Sequence, residues 1–322
     1  MRILILVLAL VGVPAFACEN SDAFFTSASD EELLVCIREN KGDFIISRDA
    51  DQSGVLHKIV KFRRSSKLIG ELYAKASTGE HWAKIKTFID DDERTPLHYA
   101  AKYAVDPSVV SRLILYGFDP NALKDKVSYT LEANRGVTPL YYATQRPDGA
   151  SIVAALIAGG ADQVWAEPEV AATPLMQAAT VAEDGSVLAV LLADKEVSRT
   201  QRIGRGILEL TDARGYTALN FAANQDRPFE VIRMLVEAGS EVDVANAQGF
   251  TPLLSAVAHS TDPKVVRYLF EKSEAPCVKT NEQEEEEEIV NRDALKLLIE
   301  NNALSENLTL KTMFHEKCNE AQ

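Results

Sequence analysis

The chemistry open to this chain rests on few residues. Five histidines stand at His57, His81, His98, His259 and His315, and four cysteines at Cys18, Cys36, Cys277 and Cys318. His98 has the richest surroundings, because the stretch ERTPLHYAAKY (Glu93–Tyr103) sets it beside a threonine, two tyrosines and a lysine. An imidazole titrating near neutrality suits proton transfer or metal ligation. Neither use finds companions: there is no HExxH, no zinc-type pair of cysteines, no GxSxG and no phosphate loop. GRGILE (Gly204–Glu209) contains a Gly-x-Gly but lacks the third glycine of a dinucleotide loop. Six glutamates between Glu282 and Glu288 could draw a basic partner or divalent cations. They lack the spaced ligands and turn glycine of a calcium loop, and read as a solvated segment. No catalytic residue, metal or cofactor is expected, and the chain reads as a non-enzyme.

The elements that must position these residues are repetitive. TPLHYAA at Thr95 returns as TPLYYAT at Thr138, TPLMQAA at Thr173, TALNFAA at Thr217 and TPLLSAV at Thr251, and an eroded copy, GVLHKIV, begins at Gly54. The spacings are 41, 43, 35, 44 and 34 residues. His57 and His98 therefore share one repeat position, which holds Tyr141, Met176, Asn220 and Leu254 elsewhere. A position that accepts such different side chains does not demand imidazole chemistry, and His98 is expected to satisfy a local hydrogen bond at the head of its helix. Pro96, Pro139, Pro174 and Pro252 suit the first helical position, where an N–H lacks a partner anyway. Leu97, Leu140, Leu175, Leu219 and Leu253 then point to a core. Alanine pairs at Ala100, Ala178 and Ala222 allow close helix approach. A second helix-periodic stretch follows each copy, as in PFEVIRMLVEAG (Pro228–Gly239). Gly117, Gly160 and Gly239 are placed as left-handed caps, and Gly136, Gly215 and Gly249 suit turns of positive φ.

On these residues the chain resembles the ankyrin repeat family over about residues 50 to 275. The resemblance implies an all-α fold: an ankyrin repeat solenoid of about six helix-turn-helix repeats with β-hairpin fingers and helical caps. Neither helix of such a pair is stable alone, and stacking supplies the core. It also implies a protein partner bound on the concave face of fingers and first helices. Carried onto this sequence, the variable contact positions are Asp91, Arg94, Lys102, Tyr103, Arg135, Val137, Gln145, Arg146, Arg214, Tyr216, Asn224, Gln225, Gln248, Phe250 and His259. Tyr103, Tyr216 and Phe250 are the preferred anchors, since exposed aromatics dominate interface energetics. Two finger regions, Asn121–Gly136 and Lys195–Gly215, are about ten residues longer than the family period of roughly 33.

The ends differ from the middle. MRILILVLALVGVPAFAC reads as an export signal of residues 1–17, with a basic start, an apolar core too short to span a bilayer and a small-x-small cleavage site. Residues 18–50 form an N-terminal capping segment, opened by a Ser29…Glu32 capping box. Residues 51–275 hold the repeats, and residues 276–322 an acidic loop and a C-terminal capping helix around Asn291–Ala303. No other segment reaches transmembrane length. A lipid anchor on Cys18 is the weaker alternative, because Ala15 and Phe16 match a lipoprotein signal poorly. In an oxidising compartment the simplest pairing is Cys18–Cys36 and Cys277–Cys318; lipidation would leave Cys36 unpaired. The net charge of −14 argues against nucleic acid and is compatible with a basic protein. The expectation is a monomeric, periplasmic or secreted binding protein. Toxin neutralisation or an envelope scaffold role comes first, by analogy with exported bacterial ankyrin proteins. The alternative is a secreted effector acting on a host protein or, behind it, a thiol/redox accessory or enzyme on a repeat scaffold.

Overall fold

A computed structural model describes residues 18–78, 80–123, 137–166, 171–193, 206–277 and 294–319. The expected signal, Arg135, Gly136 and the glutamate run lie outside the described residues. The chain divides into two compact units, residues 1–119 and 120–322.

In the first unit α1 (Asp22–Ser27) and α2 (Asp30–Glu39) precede two helix pairs: α3 (Val55–Lys58) with α4 (Ser66–Ala76), and α6 (Pro96–Tyr103) with α7 (Pro107–Leu115). Between the pairs lies α5 (His81–Lys86), and α3 continues into a π turn at Ile59–Arg63. The second unit holds four pairs: α8 (Pro139–Thr144) and α9 (Ala150–Ala158), α10 (Pro174–Val181) and α11 (Ser186–Leu192), α12 (Ala218–Asn224) and α13 (Phe229–Glu237), α14 (Pro252–His259) and α15 (Pro263–Lys272). It closes with α16 (Ala294–Glu300) and α17 (Leu308–Asn319). All six repeats thus fold as helix pairs, the eroded first copy included. The C-terminal cap has two helices rather than the one expected.

The local reasons follow the motif. Thr138, Thr173, Thr217 and Thr251 each accept, through Oγ1, the N–H three residues on, at 3.2–3.3 Å. That satisfies a donor the helix cannot, and such a cap is worth about 1 kcal/mol. Leu97, Leu140, Leu175 and Leu219 are wholly buried and Leu253 nearly so, each contributing roughly 2 kcal/mol. The alanine pairs are buried as well. Gly117, Gly160 and Gly239 adopt φ of 93°, 91° and 107°, and the residue after each returns its N–H to a carbonyl five back. The Ser29–Glu32 capping box is formed.

Among the described residues the fingers form no strands. Arg48 and Gly54 make an isolated antiparallel bridge. Three described fingers are instead five-residue turns, each closed by two backbone bonds: Asp90, Asp212 and Asn246 N–H donate to the Arg94, Tyr216 and Phe250 carbonyls at 2.9–3.1 Å, and Glu93, Gly215 and Gly249 N–H donate back to the Asp90, Asp212 and Asn246 carbonyls at 2.9–3.0 Å. The residue two before the helix cap takes positive φ in every described copy: Gln52, Glu93, Ala171, Gly215 and Gly249.

Cys18 and Cys36 form a disulfide across 5.6 Å between Cα atoms. Cys277 is also disulfide-bonded; the side chain of its expected partner, Cys318, is not among those described. No described helix is long and apolar enough to cross a membrane.

Candidate partner-binding surface

The finger turns are built on an acidic or amide side chain five residues ahead of the helix cap. Asp90 Oδ1 accepts the N–H groups of Asp92 and Arg94, at 3.0 and 2.8 Å. Asp212 Oδ1 does the same for Arg214 and Tyr216, at 2.9 and 2.8 Å, and Asn246 Oδ1 for Gln248 and Phe250, both at 2.9 Å. Asp49 receives Ser53 N–H at 2.8 Å. These residues carry the geometry of the surface, and none was singled out from the sequence. Their recurrence five places before the cap was the available signal. Neighbouring fingers are then bonded directly, Asp91 N–H to the Asp51 carbonyl and Ala247 N–H to the Arg214 carbonyl, both at 2.9 Å.

In the first unit the finger turns inward. Arg94 Nε donates to Asp90 Oδ2 at 2.7 Å, and its Nη2 lies 2.8 Å from Asp92. The Tyr99 hydroxyl donates to the same Asp90 oxygen at 2.8 Å. The guanidinium packs 5.1 Å from the Tyr99 ring. His57 completes the knot: Gly54 N–H donates to its Nδ1 at 3.2 Å, and its Nε2 donates to the Arg94 carbonyl at 3.0 Å. Burial pushes the His57 pKa down to about 4, more than the Arg94 carbonyl and the Asp90 charge raise it. Burial pushes the Asp90 carboxyl up, but the Arg94 N–H, the Tyr99 hydroxyl and the Arg94 charge outweigh it and hold it low. His98 serves locally, its Nδ1 accepting Thr95 N–H at 3.1 Å.

In the second unit the finger turns outward. Asp212 is enclosed, yet Arg214, 3.1 Å away, has a side chain 66% exposed, against 24% for Arg94. Its guanidinium lies 5.1 Å from the Tyr216 ring and 6.0 Å from Phe221. The half-buried Tyr216 reaches Gln248 of the next finger through a 3.4 Å hydrogen bond. Phe250 is half-buried, and Gln248, Gln225 and His259 are exposed. His259 Nδ1 donates to the Ser255 carbonyl at 3.1 Å, and Asn224 is half-buried. Asn220, at the repeat position of His57, donates to the Phe250 carbonyl at 3.2 Å.

The remaining sequence candidates separate by burial. Asp91 and Lys102 are exposed, the latter's ammonium 5.4 Å from the half-buried Tyr103 ring. Gln145 is exposed, and Arg146 is held by Asp148 at 2.9 Å. Val137 is wholly buried and has no side-chain surface to offer. Among the described residues no group of histidine, cysteine and carboxylate side chains could hold a metal ion.

Comparison with known families agrees with the helix pairs. A model of ankyrin repeats (three copies) matches residues 175–281, and a single ankyrin repeat model matches residues 92–125. The chain contains ankyrin repeats. Such repeats are generally protein–protein interaction modules, and the fold seen here is theirs. The pairs α3–α4 and α8–α9 repeat the same architecture outside the matched segments. No curated protein matches the chain.

Proposed function

We propose that this chain is an exported, non-enzymatic binding protein that holds a protein partner on the finger and first-helix edge of its second unit. The supporting observation is the outward cluster of Arg214, Tyr216, Phe221 and Gln248, with Phe250 beside it. Arginine and tyrosine are the residue types that dominate interface energetics. Here the turn already fixes both, so little conformational entropy is lost on docking. The acidic net charge of −14 favours a basic partner, such as a toxin to be neutralised or an envelope enzyme. Export is supported by the apolar start with its cleavage site and by the Cys18–Cys36 disulfide, a bond of oxidising compartments.

Isolation of the protein from its own cell envelope with covalently captured partners tests this reading. Wild type should retain a partner that the Tyr216→Ala/Phe250→Ala variant loses, with unchanged melting temperature. Equal capture by both would refute the surface. The mass of the exported chain checks the rest: it should begin at Cys18, and retention of residues 1–17 would refute cleavage.

A further inference from the structure

Helices α4 and α7 border a groove of about 450 Å³ lined by Ser66, Lys67, Gly70, Glu71, Arg112 and Tyr116. Gly70 stands in the middle of an eleven-residue helix, where glycine destabilises relative to alanine. Its lack of a side chain has a local use. A Cβ there would lie 2.7 Å from Arg112 Nη1, so the bare backbone is the seat of the guanidinium. The ring of Tyr116 is fixed from behind by stacking on Tyr73 at 3.8 Å. Its carbonyl accepts Trp82 Nε1–H at 3.0 Å.

Arg112 is half-buried, and among the described residues its guanidinium has no hydrogen-bond acceptor or ion-pair partner. The other half-buried arginines among the described residues all have one: Arg63 on Asp30, Arg94 on Asp90, Arg146 on Asp148 and Arg227 on the Gln225 carbonyl. Asp106 feels the Arg112 charge without touching it. The groove's own carboxylate, Glu71, is drawn off by Arg38 at 3.4 Å. Two cations, Arg112 and Lys67, and two hydroxyls, Ser66 and Tyr116, are left facing an open groove.

We propose that this groove binds an oxyanion, and that the physiological source is a carboxylate side chain of an acidic peptide segment on a partner. Arg112 supplies the planar fork, Lys67 the second charge, and the fixed Tyr116 ring a wall for the peptide. Glu71 at the rim opposes a dianion more than a carboxylate, which favours the peptide over free phosphate.

The test titrates the full-length protein with an N-acetylated, C-amidated glutamate pentapeptide and, separately, with inorganic phosphate, following the Gly70 amide and the Arg112 Nε–H by NMR. The peptide should shift both signals in wild type. Arg112→Gln should weaken binding by at least about tenfold, the loss expected for a charged hydrogen bond. Gly70→Ala should weaken it too while the melting temperature holds or rises, because alanine favours the helix as it displaces the guanidinium. A merely structural Arg112–Gly70 contact would instead lower the melting temperature in Gly70→Ala. Absence of shifts with either probe, undiminished binding by Arg112→Gln, or tighter binding of phosphate than of peptide would each overturn the proposal.

Discussion

The turns at Asp90–Arg94 and Asp212–Tyr216 share a backbone and differ in where the arginine stands. Both are closed by an aspartate that takes two N–H groups of its own turn. In the first, arginine is the last residue and folds back to the buried carboxylate, beneath a tyrosine hydroxyl that competes for the same oxygen. In the second, arginine is the third residue, at the tip, and lies on an outward tyrosine. A shift of two places in sequence converts a charge from an internal tie into a displayed one. One scaffold thereby carries a finger that buries its arginine and a finger that displays it.

The largest expected effect comes from breaking the inward finger. Asp90→Ala strands Arg94, Tyr99 and two N–H groups, and should cost about 4 kcal/mol. Asp212→Ala leaves an arginine already in water and should cost about 2 kcal/mol. Urea unfolding of the two variants measures the difference, and equal losses would erase the distinction.

Acid sharpens the same comparison. His57 titrates at 6.5 when unfolded and near 4 when folded, so between these values the unfolded chain binds more protons. Its contribution is complete above pH 6.5, falls as pH drops toward 4, and amounts to about 3 kcal/mol. Asp90, also held low, adds a further loss in stronger acid. His57→Asn should flatten the slope between pH 6.5 and 4 while keeping the fold, since Asn220 already makes the equivalent bond. Unfolding free energies across that range provide the check; an unchanged slope would mean that His57 is not the group responsible.

For the outward finger the readout is affinity. Tyr216→Ala should weaken partner binding at least about tenfold, the cost of losing a hot-spot aromatic, and shift stability little. Tyr99→Phe should do the reverse, losing about 1 kcal/mol of stability with binding unchanged. Smallest of all, Glu93→Gly and Ala171→Gly should each stabilise by about 0.5–1 kcal/mol, relieving positive φ at a non-glycine residue. Thermal melting suffices to see it.

Much of this was legible beforehand for a physical reason. Proline at the first helical position, a buried leucine next and an alanine pair after it report backbone and packing demands that recur in every repeat. Glycine caps at Gly117, Gly160 and Gly239 are of the same kind. The site was less legible because exposure depends on the partner atom, not the residue type. Arg94 and Arg214 look alike in sequence until Asp90, Asp212 and Tyr99 are placed. Val137 flanks a turn as a contact residue should, yet faces the core. Helices α1 and α17 escaped notice because each packs as an end piece outside the repeat period, and α5 because it interrupts one.

The far N-terminus has one more consequence. Lys58 on α3 is almost wholly buried and is gripped by Asp22 of α1 and by Asp49 of the first turn. Burial alone would depress its pKa, but the two carboxylates raise it. The Cys18–Cys36 bond closes the same end. Arrays of repeats ordinarily unzip from their termini, where a unit has one neighbour. Here a covalent link and a charged latch hold the end that should open first. Amide hydrogen exchange in α1 and α2 should therefore be as slow as in the interior helices of the first unit, and should accelerate when the disulfide is reduced.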